Sequence, residues 1–183
     1  MLPKILVITP VKHILGVERK LKKIGNVTFM DDPNTEEVIE IIEKYNAIFT
    51  NPNKSKIYLD NSVFCRAKNL NVICTASTGT IHINKEQAKE HGIKVISLTE
   101  ERKVIEKITS TAEHAFALAL SSVRNIPAAN QSVSTGEWNY EKFIGRQMNK
   151  MTIGVIGYGR LGSIFAGYCL SFGSKVLVYD PYK

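Results

Sequence analysis

This sequence predicts an α/β protein, with a parallel-sheet domain first and a separate strand–helix–strand unit after it. Three observations lead there. Short β-branched apolar runs alternate with helical segments of about ten residues through the N-terminal half, the pattern of a parallel sheet covered on both faces. A complete G-x-G-x-x-G, Gly157-Tyr-Gly159-Arg-Leu-Gly162, stands between the strand-like TIGVIG and a helical run. An acid, Asp180, closes the next strand-like run, KVLVYD.

The elements follow in order. KILVIT is a short apolar run suited to a strand buried on both faces. Ile14, Val17, Leu21 and Ile24 then recur at helical spacing, and Gly25 can stop that helix. NVTFM reads as a second strand. DDPNTEEVIEIIEKY starts a helix with Pro33 and acids near its N-terminus, and its apolar stripe is Val38, Ile41, Ile42 and Tyr45. AIFT (strand), YLDNSVFCRAK (helix), NVICTA (strand), NKEQAKEHG (helix) and IKVIS (strand) complete a domain ending near Leu98. Residues 104–126 read as one long helix, apolar nearly all round in its second half, which predicts burial, including burial against a second subunit. Pro127 is expected to end it. The polar stretch from Pro127 to Lys150 carries the only tryptophan and reads as a long loop with a task, such as wrapping a partner.

Composition narrows the function classes. The chain has 183 residues, 44% hydrophobic and 22% charged, as in ordinary globular proteins. The net charge of +7 comes from lysines spread along the chain, with one cluster in ERKLKKIG. A solvated helix face accounts for that cluster, and no nucleic-acid partner is expected. A modest positive field suits anionic substrates and dinucleotides. No uncharged apolar run nears the roughly 18 residues of a membrane span, and MLPKILVITP reads as a strand rather than a secretory leader. A cytoplasmic protein without a membrane partner is expected. Cys65, Cys74 and Cys169 form no C-x-x-C pair and lie among apolar residues, so buried free thiols are expected rather than disulfides or a metal site.

The glycine motif has a task for each part. Gly157 permits the tight strand-to-helix turn, Gly159 lets a pyrophosphate approach the backbone, and Gly162 lets helix and strand pack closely. The amides near Arg160 and Leu161 point at phosphates from a helix N-terminus, where the dipole favours negative charge. Asp180 stands where a carboxylate can accept both ribose hydroxyls, which favours NAD over NADP. The helix face Leu161, Ile164, Phe165, Tyr168 and Phe172 is expected to be core.

Three segments together resemble the D-isomer-specific 2-hydroxyacid dehydrogenases, the family of phosphoglycerate, glycerate and D-lactate dehydrogenases. ASTGTIHINKEQAKEHGIKVIS is similar to that family's substrate loop with its following helix and strand. STAEHAFALALSSVRNIPAAN and the later GEW look like its linking helix and the arm ending in Gly-x-Trp. MTIGVIGYGRLGSIFAGYCLSFGSKVLVYDPYK resembles its cofactor fingerprint. The resemblance implies a flavodoxin-like substrate-binding domain over residues 1–100. Residues 101–183 would then hold a linking helix, a dimerisation arm and the N-terminal part of a Rossmann NAD-binding domain. It also implies an NAD-dependent oxidoreductase acting on a small 2-keto acid or D-2-hydroxy acid, and a homodimer through residues 104–150.

Ser77, Thr78 and Gly79 match the family loop that binds the substrate carboxylate through its backbone. A small-residue turn after a buried strand suits that task physically. The family usually has glycine where Ser77 stands. Thr78 also matches a position that contacts the cofactor, and Asn51 matches one that can reach the substrate, although TNPN and STGT also read as plain turns. His82 lies close to STGT, but the family has a non-catalytic residue there, and a hydrogen bond to the backbone explains it equally well. His114 and Glu113 match a structural stretch of the linking helix, the glutamate serving local hydrogen bonds. His13 and His91 look solvent-facing, so no catalytic residue is assigned. The family's catalytic Arg, Glu and His match positions that would follow Lys183, so the 183 residues alone are expected to be inactive and to belong to a larger protein. The alternative is a non-catalytic nucleotide-binding or corepressor-like protein.

Overall fold

The computed structural model describes residues 1–52 and 56–183, and Asn53 of the TNPN turn lies outside them. The chain divides into two compact units, Met1–Ile105 and Glu106–Lys183.

In the first unit five parallel strands form one sheet: β1 (Lys4–Val7), β2 (Asn26–Phe29), β3 (Ala47–Thr50), β4 (Val72–Thr75) and β5 (Lys94–Ile96). Their order is β2-β1-β3-β4-β5, the flavodoxin-like arrangement expected. In such sheets ligands bind beyond the C-terminal strand ends, near the point where strand order reverses. Side chains alternate across the sheet. Leu6, Ile8, Ile48 and Ile73 face the larger core with Val38, Ile42, Val63, Phe64 and Ala88. Ile5, Val7, Val11 and Leu21 form a second cluster, flanked by Ala47 and Phe49. Leu6, Ile48 and Ile73 are fully buried, each contributing about 2 kcal/mol of hydrophobic stabilisation.

Local chemistry sets the helix ends. Helix α1 (Val17–Ile24) follows Gly16, whose φ of 82° is left-handed. The predicted stripe is only partly buried: Leu21 is in the core, whereas Ile14 and Ile24 are exposed, because the helix starts after Ile14 and ends with Ile24 at its rim. In helix α2 (Thr35–Ile41) Pro33 stands outside the first turn and Asn34 is the cap. The Asn34 side chain accepts from the Glu37 amide at 2.9 Å, and Glu37 accepts from the Asn34 amide at 2.8 Å, a reciprocal capping box. A 3₁₀ turn at Ile42–Lys44 extends it, burying Ile42 and Tyr45. Helices α3 (Asn61–Phe64) and α4 (Lys85–Glu90) are shorter than their sequence patterns. Between them, Leu59 and Ile83 form an isolated parallel bridge. Helix α5 (Arg102–Ile105) closes the unit.

In the second unit, α6 (Ser110–Val123) packs against α8 (Arg160–Ser171), and β6 (Thr152–Ile156) pairs in parallel with β7 (Lys175–Tyr179). Four expectations need correction here. The helix predicted over 104–126 is broken between Ile105 and Ser110. Pro127 does not end a helix: it lies in the first turn of α7 (Ile126–Ser134), where its missing amide costs nothing. The break before it comes at Asn125, left-handed with φ 56°. The stretch after Pro127 is therefore helical first, with 3₁₀ turns at Tyr140–Phe143 and Met148–Lys150 further on. No residue in the second half of α6 is buried within this chain: Leu118 is 58% exposed, and Ala119, Leu120, Ser121 and Val123 are half-buried.

On α8 the fully buried side chains are Ala166 and Cys169, while Leu161, Ile164, Phe165 and Tyr168 are half-buried and Phe172 is exposed. Phe116 supplies their cover, with its ring centroid 6.1, 5.7 and 4.9 Å from those of Phe165, Tyr168 and Phe172. Large aromatic rings reach one another above the small residues, so contact leaves them partly accessible. Of the cysteines only Cys169 is buried; Cys74 is intermediate and Cys65 exposed, since α3 ends before Cys65 and turns it outward.

Candidate functional site

The first candidate site is the turn after β4. Thr75 ends that strand in register with Thr50 of β3, and both are buried. The Ala76 amide donates to the Thr50 carbonyl at 3.1 Å, after which the chain leaves the sheet. The carbonyls of the next three residues are all held. Leu98 N–H donates to Ser77 O at 3.0 Å, Thr99 Oγ1 to Thr78 O at 3.1 Å, and Ser77 Oγ to Gly79 O at 2.7 Å. In a trans peptide the C=O and the following N–H point in opposite directions. The amides of Thr78 and Gly79 therefore turn away from segment 98–99, and no acceptor among the described residues takes them. Both residues are exposed, and a Cβ added at Gly79 would meet nothing. Two free amides on an open turn are donors of the kind an anion can accept from.

Asn51 follows β3 and is half-buried. His82 is 7% exposed, and neither ring nitrogen has a hydrogen-bond partner. This corrects the expected ring-to-backbone bond. The contact it does make runs through its own carbonyl, which accepts from the Leu59 amide at 2.9 Å. Burial pushes the imidazole pKa down, favouring the neutral ring. His91 is exposed and bonds Asn61 at 3.0 Å, and Glu113 accepts from the Thr109 hydroxyl at 2.5 Å.

The second candidate site is the turn between β6 and α8. Gly157 has φ 88°, where a side chain would be strained. A Cβ at Gly162 would collide with the Gly157 carbonyl oxygen, whereas one at Gly159 would meet only open space. Gly159 is the N-cap of α8, and no side chain caps that helix, which leaves the first-turn amides of Arg160, Leu161 and Gly162 facing the opening. The dipole adds positive potential at that end. Arg160 does not reach over the turn; its guanidinium donates to Ile108 O at 2.5 Å.

Asp180 follows β7 and closes the site. Its carboxylate accepts from the Tyr182 amide at 2.9 Å and from the Tyr158 amide at 2.6 Å. These two bonds, Tyr182 first, hold its pKa below the usual carboxylate range. Each oxygen keeps acceptor capacity beyond its amide bond. Lys183 donates to Tyr158 O at 2.7 Å and lies 5.4 Å from the centroid of its ring. An open glycine, an uncapped helix and an ionised acid fit a dinucleotide's pyrophosphate and ribose. Among the described residues no group of His, Cys, Asp and Glu could hold a metal ion.

Sequence reasoning missed Thr99 and the Tyr158–Asp180 bond. The signal available for Thr99 was its place after β5, the strand next to β4, because the loops at neighbouring strand ends are neighbours in space.

Residues 116–183 match the family model described as D-isomer specific 2-hydroxyacid dehydrogenase, NAD binding domain. A D-3-phosphoglycerate dehydrogenase of Archaeoglobus fulgidus is 35% identical over 98% of this chain and 32% of its own length. One from Methanocaldococcus jannaschii is 32% identical over the same shares, 98% and 32%. Among solved structures, D-lactate dehydrogenase from Aquifex aeolicus, complexed with NAD and lactic acid, superposes with a TM-score of 0.79 at 28% identity, covering 98% of this chain and 52% of that one. The chain belongs to the D-isomer-specific 2-hydroxyacid dehydrogenase family. It spans about a third of the length of the curated relatives it matches, 32% for the Archaeoglobus protein.

Proposed function

We propose that this chain carries the substrate-anion loop and the NAD-binding turn of an NAD-dependent dehydrogenase acting on a small D-2-hydroxy acid or the corresponding 2-keto acid. Bound NAD supplies the hydride-accepting nicotinamide; the residues of this chain bind and orient. Amides at the N-terminus of α8 receive the pyrophosphate, and Gly159 leaves it room. Asp180 accepts the adenosine ribose hydroxyls, and its charge opposes a 2′-phosphate. Thr78 and Gly79 amides, with Ser77 shaping the turn, take the substrate carboxylate, and Asn51 is assigned to the same end of the sheet. None of His13, His82, His91 and His114 is assigned as proton donor.

The observation that carries the reading is one end of the βαβ unit, where the open Gly159, the uncapped α8 and the ionised Asp180 converge. Calorimetric titration tests it. NAD is expected to bind the chain, and NADP at least about tenfold more weakly, because it brings like charge to Asp180. Equal affinity for the two, or none for either, would refute the assignment.

The partner assigned is a second copy of the chain, through residues 104–150. Support comes from exposed Trp138 (86%), Tyr140 (73%), Ile144 (73%) and Leu118 (58%) in that stretch, an apolar surface of the kind that marks interaction sites. A cytoplasmic location is part of the same proposal.

A further inference from the structure

The turn after β4 is held by groups that the family resemblance does not name. Its Ser77 carbonyl is fixed by the Leu98 amide at 3.0 Å and its Thr78 carbonyl by the Thr99 hydroxyl at 3.1 Å. Thr99 is itself placed by a short 3₁₀ turn, Leu98–Glu100, in which the Ser97 side chain accepts from the Thr99 amide at 3.3 Å. The Ser77 hydroxyl is bonded within the turn. It lies 2.7 Å from Gly79 O and 3.2 Å from Thr75 Oγ1.

We infer that Thr99 and Ser77 are positioning residues, whose hydroxyls hold the turn so that the Thr78 and Gly79 amides present themselves to a substrate carboxylate. The geometry supports three steps. A free glycine-containing turn samples many backbone conformations, and only some of them converge two amides. Tying the carbonyls on one side removes those alternatives before the anion arrives, which lowers the ordering cost of binding. Thr99 is exposed and Ser77 only half-buried, so the two hydroxyls can be removed without opening the core. The Ser77 hydroxyl bonds the carbonyl two residues on, a local side-chain-to-backbone bond that serine makes readily in turns. This inference rests on the proposed reading of the turn as the anion site.

The test uses the full 183-residue chain, isotope-labelled, with pyruvate, glyoxylate and oxalate as probes. Chemical shifts of the Thr78 and Gly79 amides report binding, and relaxation of the Gly79 amide without anion reports how firmly the turn is held. Thr99→Val is expected to weaken anion binding about fivefold, the loss typical of one hydrogen bond, and to loosen Gly79. Thr99→Ser, which keeps the hydroxyl, is expected to restore both. Ser77→Gly should act in the same direction as Thr99→Val. Wild-type affinity and wild-type Gly79 order in Thr99→Val and Ser77→Gly would overturn the inference. If no probe moves the wild-type amides, the anion reading of the turn falls instead. The Gly79 relaxation of Thr99→Val then still decides whether the hydroxyl positions the turn.

Discussion

The Asp180 carboxylate accepts a hydrogen bond from the Tyr158 amide at 2.6 Å, joining the end of β7 to the middle of the glycine-rich turn. One acid thus shapes the backbone that would face the pyrophosphate and supplies the acceptor for the ribose. Asp180→Ala removes both and is expected to lower NAD affinity by at least about tenfold, on the scale of charge-assisted hydrogen bonds. Titration calorimetry measures it. The pH dependence follows from the depressed pKa. The folded state holds Asp180 ionised below its unfolded value, so its contribution is complete above about pH 4 and is lost as pH falls through the lower folded value. NAD affinity should therefore be level from neutral pH down to about pH 5 as far as this group is concerned.

Gly162 and Gly159 separate packing from binding. Gly162→Ala drives a methyl into the Gly157 carbonyl and is expected to cost about 1–3 kcal/mol, as overpacking does. Gly159→Ala meets open space at an ordinary φ of −73°. It should leave stability within about 0.5 kcal/mol while weakening NAD. Thermal melts with and without NAD distinguish the two; a stability loss in Gly159→Ala would contradict the reading.

His82 makes the fold acid-sensitive. Its imidazole is buried without a partner and its pKa is lowered by that burial. The unfolded chain binds the proton first, near pH 6.5, so stability is full above that value and declines as pH falls below it. His82→Asn is expected to flatten the fall in Tm between about pH 7 and pH 5. Parallel curves for the two proteins would show that His82 is not the group responsible.

The exposed aromatic surface after α7 predicts self-association. Light scattering of the chain is expected to give a dimer, and Trp138→Ala with Tyr140→Ala to shift it toward monomer, since large aromatic anchors dominate such contacts. A wild-type monomer at micromolar concentration would remove residues 104–150 as an interface.

Asn34→Ala tests the capping box of α2, with an expected loss of about 1 kcal/mol in chemical denaturation. The neighbouring Glu37→Gln should lose less, because an amide can still accept from the Asn34 backbone.

The strands were legible because each is a β-branched run between turn residues, and a parallel sheet buried on both faces requires such runs. The glycine motif was legible because its tasks need glycine itself: a positive φ at Gly157 and a hydrogen in place of Cβ at Gly162. The helix predicted over 104–126 was not, because its apolar pattern runs on through the break between Ile105 and Ser110, and Pro127 reads alike at the end of one helix and the start of another.

By itself the sequence determined the α/β class, the strand series and the place of the glycine-rich turn, all of which depend on residue type over short spans. Tertiary structure decided what the turn after β4 can do. The Thr78 and Gly79 amides are left free where Leu98 and Thr99, about twenty residues on, take up the Ser77 and Thr78 carbonyls. It likewise decided that Asp180 reaches Tyr158 and that His82 is buried unpaired. Such relations depend on the path of the chain between distant residues, and local propensity carries no record of that path.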